Sequence, residues 1–171
     1  NSLELMASYW AAAKTGIVIV PCSTLLQKSG LANLLNDSDT VTVIADRSSA
    51  EMLMDIRDNI GGVRNIVVVG DPPDKDFIRY DEFIAHAPED NPPDPNLIDS
   101  DVFNIMYSSG TTGAPKGIVH THYIRSMYCT LFASAWRMTP ESVALHAGSI
   151  VFNGAMLDLM PWMYLGCSYV L

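Results

Sequence analysis

Tyr107-Ser108-Ser109-Gly110-Thr111-Thr112-Gly113-Ala114-Pro115-Lys116-Gly117 joins two apolar runs, residues 102–107 and 117–121, that read as strands. Four Ser and Thr hydroxyls in this stretch can donate hydrogen bonds to phosphate oxygens. Gly110, Gly113 and Gly117 let backbone N–H groups turn inward at close approach, and Lys116 adds a positive charge on a flexible stem. A Walker A loop is excluded. Pro115 precedes the lysine, no hydroxyl follows it to hold Mg²⁺, and residues 118–121 read as strand where a helix is required. Ser/Gly/Thr stretches are usually plain surface loops, but eleven residues in this order between two apolar strands read as a phosphate cradle.

Outward from the loop, strands alternate with helices. Upstream, Leu3, Met6, Ala7, Trp10 and Ala13 recur at helical spacing, which predicts a helix over 2–14. The β-branched run 17–20, stopped by Pro21, predicts a strand buried on both faces. A helix through Leu31, Leu34 and Leu35, a strand over 41–45 and a strand over 66–69 follow. Ser48 with Glu51 reads as a capping box that opens a helix through Met52, Leu53 and Ile56. Residues 71–76 form a Pro/Asp turn and 80–87 a short helical segment, while 88–96 hold four prolines and three acids and read as an extended connector. Downstream of the loop come a helix over 123–136, a turn at 139–141, a strand over 143–145, a helix over 155–165 and a strand over 168–171. The class is α/β, a layered domain with parallel-rich sheets flanked by helices. The expected division is a first portion over 1–100, ending in the connector 88–101, and a second over 102–171 that carries the loop.

The 171 residues are 49% hydrophobic and 17% charged, enough to build a core and to exclude wholesale disorder. Ten basic side chains against nineteen acidic ones leave a net charge of −9, concentrated between Asp71 and Asp101. That balance excludes nucleic acid as the main partner, so an anionic ligand has to be held by local N–H groups or an aimed cation. Cys22, Cys129 and Cys167 are too scattered for a disulfide framework and read as small buried hydrophobes in a reducing compartment. No uninterrupted apolar run reaches a membrane span, so the expectation is a cytoplasmic protein.

The 107–117 stretch resembles the signature of the adenylate-forming superfamily: acyl-CoA synthetases, firefly-type luciferases and peptide-synthetase adenylation domains. The pattern is an aromatic, two small hydroxylic residues, then Gly-Thr-Thr-Gly-x-Pro-Lys-Gly, and every position is met. Residues 13–21, 34–38 and 119–122 are similar to further family segments. The resemblance implies that Ser108, Ser109, Gly110, Thr111, Thr112 and Gly113 contact ATP phosphates. Thr112 and Lys116 then have the catalytic roles, with Lys116 assisting the departing pyrophosphate. It implies attack of a fatty or aryl carboxylate on the α-phosphate, then thioester formation with coenzyme A, with Mg²⁺ on the phosphate oxygens. Phe152 falls where the family places a residue beside the acyl pocket, against a plain core role. Ser149 and Phe152 depart from the commoner Pro and His there, and Gln27 to Gly30 from the usual acidic helix start, which leaves the acid open.

A chain that begins on a bare helix and ends on a hydrophobic strand is expected to be cut from something longer. The family's later Mg²⁺ carboxylate, ribose-binding Asp and C-terminal catalytic Lys have no counterpart here, so the isolated segment is expected to be inactive. Two alternatives stand beside the synthetase: an adenylation domain that loads a carrier-protein thiol, and a non-catalytic nucleotide-binding module. His120 and His122, two apart on a strand, would share a face, but packing is favoured over metal binding without a third ligand. His86 reads as a surface residue and His146 as a strand end. Met156, Met160 and Met163 read as core. The oligomeric state is left open.

Overall fold

A computed structural model describes residues 1–108 and 115–171. In chain order the elements are α1 (Leu3–Thr15), α2 (Lys28–Asp37), β1 (Thr42–Asp46), α3 (Arg47–Asp55), β2 (Asn65–Val69), β3 (Ile78–Arg79), α4 (Tyr80–Ile84), β4 (Val102–Ser108), β5 (Lys116–Thr121), α5 (His122–Ala135), β6 (Val143–Leu145), α6 (Met156–Leu165) and β7 (Ser168–Val170). They form two compact units, Asn1–Pro21 with Pro92–Leu171, and Cys22–Asn91. The division therefore does not fall at the proline-rich connector alone, because the first twenty-one residues cluster with the C-terminal segment. Among the described residues no helix is long and apolar enough to cross a membrane.

In the unit Cys22–Asn91, β1, β2 and β3 make a parallel sheet in that order. The β2 run Ile66, Val67 and Val68 is buried, as a central strand covered on both faces must be. β3 is too short to leave a periodic signal, and the sequence reading missed it. The capping box expected at Ser48 is replaced by a cap two residues earlier. Asp46 accepts from the Ser49 N–H at 2.7 Å, which starts α3 at Arg47.

In the other unit the core gathers Met6 and Tyr9 of α1, Phe103 and Met106 of β4, and Met156 and Leu159 of α6. The apolar spacing read at Met156 and Met160 does point inward, Met160 being buried and Met163 partly so, but the stripe read in α1 does not: Leu3, Ala7 and Trp10 are exposed, and the buried residues are Met6, Tyr9 and Ala12. α1 is capped at both ends. Ser2 accepts from the Leu5 N–H, and Gly16 takes a left-handed φ of 74°. A side chain at Gly16 would also meet Leu97 at 2.7 Å, so the position is closed twice over. Residues 17–20 are not the doubly buried strand expected of them. Ile17 and Val18 are exposed, and only Ile19 joins a parallel bridge, its N–H donating to the Phe103 carbonyl and its carbonyl accepting from the Ile105 N–H. A β-branched run favours extended backbone whether or not anything covers it, which is why the pattern overstated burial. The cysteines are free, but only Cys167 is buried, Cys22 and Cys129 being half-buried.

Candidate functional site

β4 and β5 form an antiparallel hairpin, and its ladder runs up to the pairs Tyr107–Gly117 and Ser108–Lys116. Directly opposed residues of such a ladder leave the same face, with Cβ atoms about 5 Å apart. The last rung therefore sets an exposed hydroxyl beside an exposed ammonium, at the two ends of the connecting stretch 109–115. Gly117 cannot carry a side chain here. A Cβ would lie 2.9 Å from Ile105 Cγ2 and 3.1 Å from Tyr107 Cζ, since the Tyr107 ring covers the glycine. Ser109, Gly110, Thr111, Thr112 and Gly113, the other residues expected to bind phosphate, lie outside the described residues.

The Ser108 face continues down the strand through Met106 to Asn104, with Lys116, Ile118 and His120 opposite. Asn104, 0% exposed, pairs directly with His120, 6% exposed, and Arg125 of α5 reaches the same place, its Nε donating to Asn104 Oδ1 at 2.8 Å. Burial, then the Arg125 cation, push the His120 pKa below its ordinary value. Burial lowers Arg125 itself to about 10. Asn104 and Arg125 escaped the sequence reading. Asn104 sits inside an apolar strand and Arg125 inside an apolar helix, and the only signal was a polar residue on the inward stripe of each.

His122 does not share a strand face with His120. Thr121 caps α5 by accepting from the Ile124 N–H at 3.3 Å, so His122 is already helical, and its ring meets Phe103 edge-on at 5.3 Å. Among the described residues no group of three or more His, Cys, Asp or Glu is placed to hold a metal. Phe152 stands on a different element from the hairpin, in extended backbone ahead of the 3-10 turn Asn153–Ala155, and is 49% exposed. In the same unit His146 Nδ1 pairs with Asp158 Oδ2 at 3.0 Å, and the Tyr169 hydroxyl donates to Asp158 Oδ1 at 2.9 Å. Burial, with the Asp158 carboxylate, drives the Tyr169 hydroxyl well above the usual phenol range.

Chemically, the hairpin end offers a hydroxyl and a cation to an anionic ligand, on a scaffold anchored by a buried polar cluster. The family model described as AMP-binding enzyme matches residues 1–171. The long-chain-fatty-acid–CoA ligase FadD13 of Mycobacterium tuberculosis is 37% identical over 144 residues, which is 81% of this chain and 26% of that protein. The 3-hydroxybenzoate–CoA ligase of Aromatoleum sp. is 28% identical over 152 residues, 89% of this chain and 27% of that one. The anthranilate CoA ligase AuaEII in complex with anthranoyl-AMP superposes with a TM-score of 0.85 over 100% of this chain and 33% of its own, at 24% identity, a likeness of fold. The chain thus spans about a quarter of the length of these curated relatives.

Proposed function

Because the chain belongs to the AMP-binding enzyme family, we propose that it is the phosphate-loop part of an ATP-dependent acid–thiol ligase acting on a fatty or aryl carboxylic acid. In the first step a carboxylate oxygen attacks the α-phosphorus of ATP, the bond to the β-phosphate oxygen breaks, and pyrophosphate leaves. In the second the coenzyme A thiol attacks the acyl carbon and AMP departs. The observation that supports this reading is the placement of the Ser/Gly/Thr stretch on a hairpin whose closing rung joins Ser108 to Lys116.

Ser108, Ser109, Gly110, Thr111, Thr112 and Gly113 hold the phosphates. Thr112 and Lys116 have the catalytic roles, Lys116 assisting the departing pyrophosphate, on which charge builds and donors act most strongly. Mg²⁺ would neutralise the charge on the phosphate oxygens that these residues hold. Phe152, exposed at the turn before α6, forms part of the acyl wall. The printed activities of the relatives support coenzyme A as acceptor and leave both fatty and aryl acids open. The three free cysteines support a reducing, cytoplasmic setting.

The test is carboxylate-dependent exchange of labelled pyrophosphate into ATP by the full-length polypeptide, across fatty and aryl acids. Lys116→Ala is expected to lower the exchange rate by about 10²–10³. Nucleotide binding without exchange for any acid would sink the ligase in favour of a non-catalytic module. Exchange without coenzyme A thioester would move the acceptor to a carrier-protein thiol.

A further inference from the structure

Residues 146–155 run from β6 to α6 and carry Phe152. Backbone outside a ladder or a long helix has to find partners for its peptide groups elsewhere. Here the start of the chain supplies them. The Asn1 side-chain amide donates through Nδ2 to the Gly148 carbonyl at 2.9 Å and accepts through Oδ1 from the Ile150 N–H at 3.0 Å. One amide thus takes the place of a neighbouring strand's peptide, bonding the carbonyl before Ser149 and the N–H after it. The Tyr9 hydroxyl, on a side chain with 0% exposure, donates to the Ile150 carbonyl at 3.0 Å.

The gripped residues flank Ser149, and Ser149 leads to Phe152. Its carbonyl accepts from the Phe152 N–H at 3.4 Å, and its hydroxyl accepts from the Val151 N–H at 3.4 Å. Ile150 is sunk in the core while Phe152, two residues on, stands half out of it. The grip has a firm base. Ser2, next to Asn1, caps α1, and Met6 and Tyr9 of that helix lie in the same core as Ile150. At the far end His146 Nδ1 and Asp158 Oδ2 close the segment at 3.0 Å. None of these bonds involves Ser108 or Lys116, so a change in them reaches Phe152 without first disturbing the closing rung of the hairpin.

We propose that Asn1 and Tyr9 are positioning residues that set the acid preference by holding the backbone of 148–150 and, through Ser149, the Phe152 ring. The inference rests on Phe152 forming part of the acyl wall.

Two measurements on the full-length polypeptide test it. Amide hydrogen exchange across 147–155 is expected to rise about tenfold in Asn1→Ala, where the Ile150 N–H loses its acceptor, and about two- to tenfold in Tyr9→Phe, which keeps the ring in the core. The ratio of kcat/KM for fatty over aryl acids is expected to change about two- to tenfold in both variants, the effect of one or two hydrogen bonds on position. The change enters through the KM of the acid, with the KM of ATP constant. In a Phe152→Ala background the same two substitutions are expected to leave the ratio alone. Unchanged exchange, or a loss of activity spread equally over all acids and ATP, overturns the inference. If Phe152→Ala shifts the ratio and neither Asn1→Ala nor Tyr9→Phe does, the inference falls and the acyl wall stands. If Phe152→Ala shifts nothing, the acyl wall itself falls and takes the inference with it.

Discussion

Beside α6, Asp158 satisfies two neighbours at once, His146 at 3.0 Å and Tyr169 at 2.9 Å, one on each carboxylate oxygen. Beneath the β4–β5 hairpin, in the same compact unit, Arg125 has a neutral amide, a thioether and a ring for company, and among the described residues Arg125 Nη1, Asn104 Nδ2 and His120 Nδ1 have no side-chain partner. Both clusters are polar and largely buried. They differ in whether the acid is present. A charge matched within the chain contributes mainly through its bonds, and its removal strands the partners. An unmatched charge costs free energy in every bond-counting scheme, and its removal can be nearly neutral.

The widest gap between the two clusters appears when each loses its charged centre. Asp158→Ala strands His146 and Tyr169 together and is expected to cost about 2–3 kcal/mol of stability in denaturant titrations. Asp158→Asn, which keeps an acceptor for Tyr169, is expected to cost about half as much; a loss under about 1 kcal/mol for the alanine variant would break the comparison. Gly117→Ala, on the strand pair above the second cluster, pushes a methyl into Ile105 and the Tyr107 ring. It is expected to cost about 1–2 kcal/mol, and pairing it with Tyr107→Ala should recover part of that. Arg125→Met is expected to change stability by less than about 1 kcal/mol, the lost bonds offset by the lost desolvation.

The smallest effect is a pH dependence. His120 titrates lower in the folded chain than its ordinary 6.5 because it is buried, and because Arg125 stands beside it. Between its ordinary and its folded pKa the unfolded chain binds the extra proton. Stability therefore falls as the pH drops below 6.5 and levels off once the folded form is protonated too. His120→Gln should flatten that part of a stability–pH curve measured between pH 7.5 and 5, and an unchanged slope would place the titrating group elsewhere.

Much of this arrangement was legible in the residues. The alternation of strand and helix and the inward stripe of α6 follow from period and turn chemistry, which are local properties. What escaped is non-local. Whether Ile17 and Val18 are covered depends on what lies over them, not on their branching. The cap of α3 went to Asp46 because the chain enters the helix straight from β1, a fact set by the sheet. Two polar residues 21 positions apart, Asn104 and Arg125, meet only because a hairpin turns and a helix folds back along it.

α1 has a further consequence for the order of events at synthesis. The Tyr9 hydroxyl donates to the Ile150 carbonyl, 141 residues later in the chain, and Ile19 meets β4 only after the unit Cys22–Asn91 has been made. At roughly 5–20 residues per second, the apolar side of α1 waits on the order of ten seconds before its partners leave the ribosome. The inserted unit has its own parallel sheet by then, while α1 is still a sticky amphipathic segment in search of cover. Nascent chains arrested before Ile150 should therefore be cut by protease within α1 and spared within Cys22–Asn91, and a chaperone is needed at α1 more than at the inserted unit.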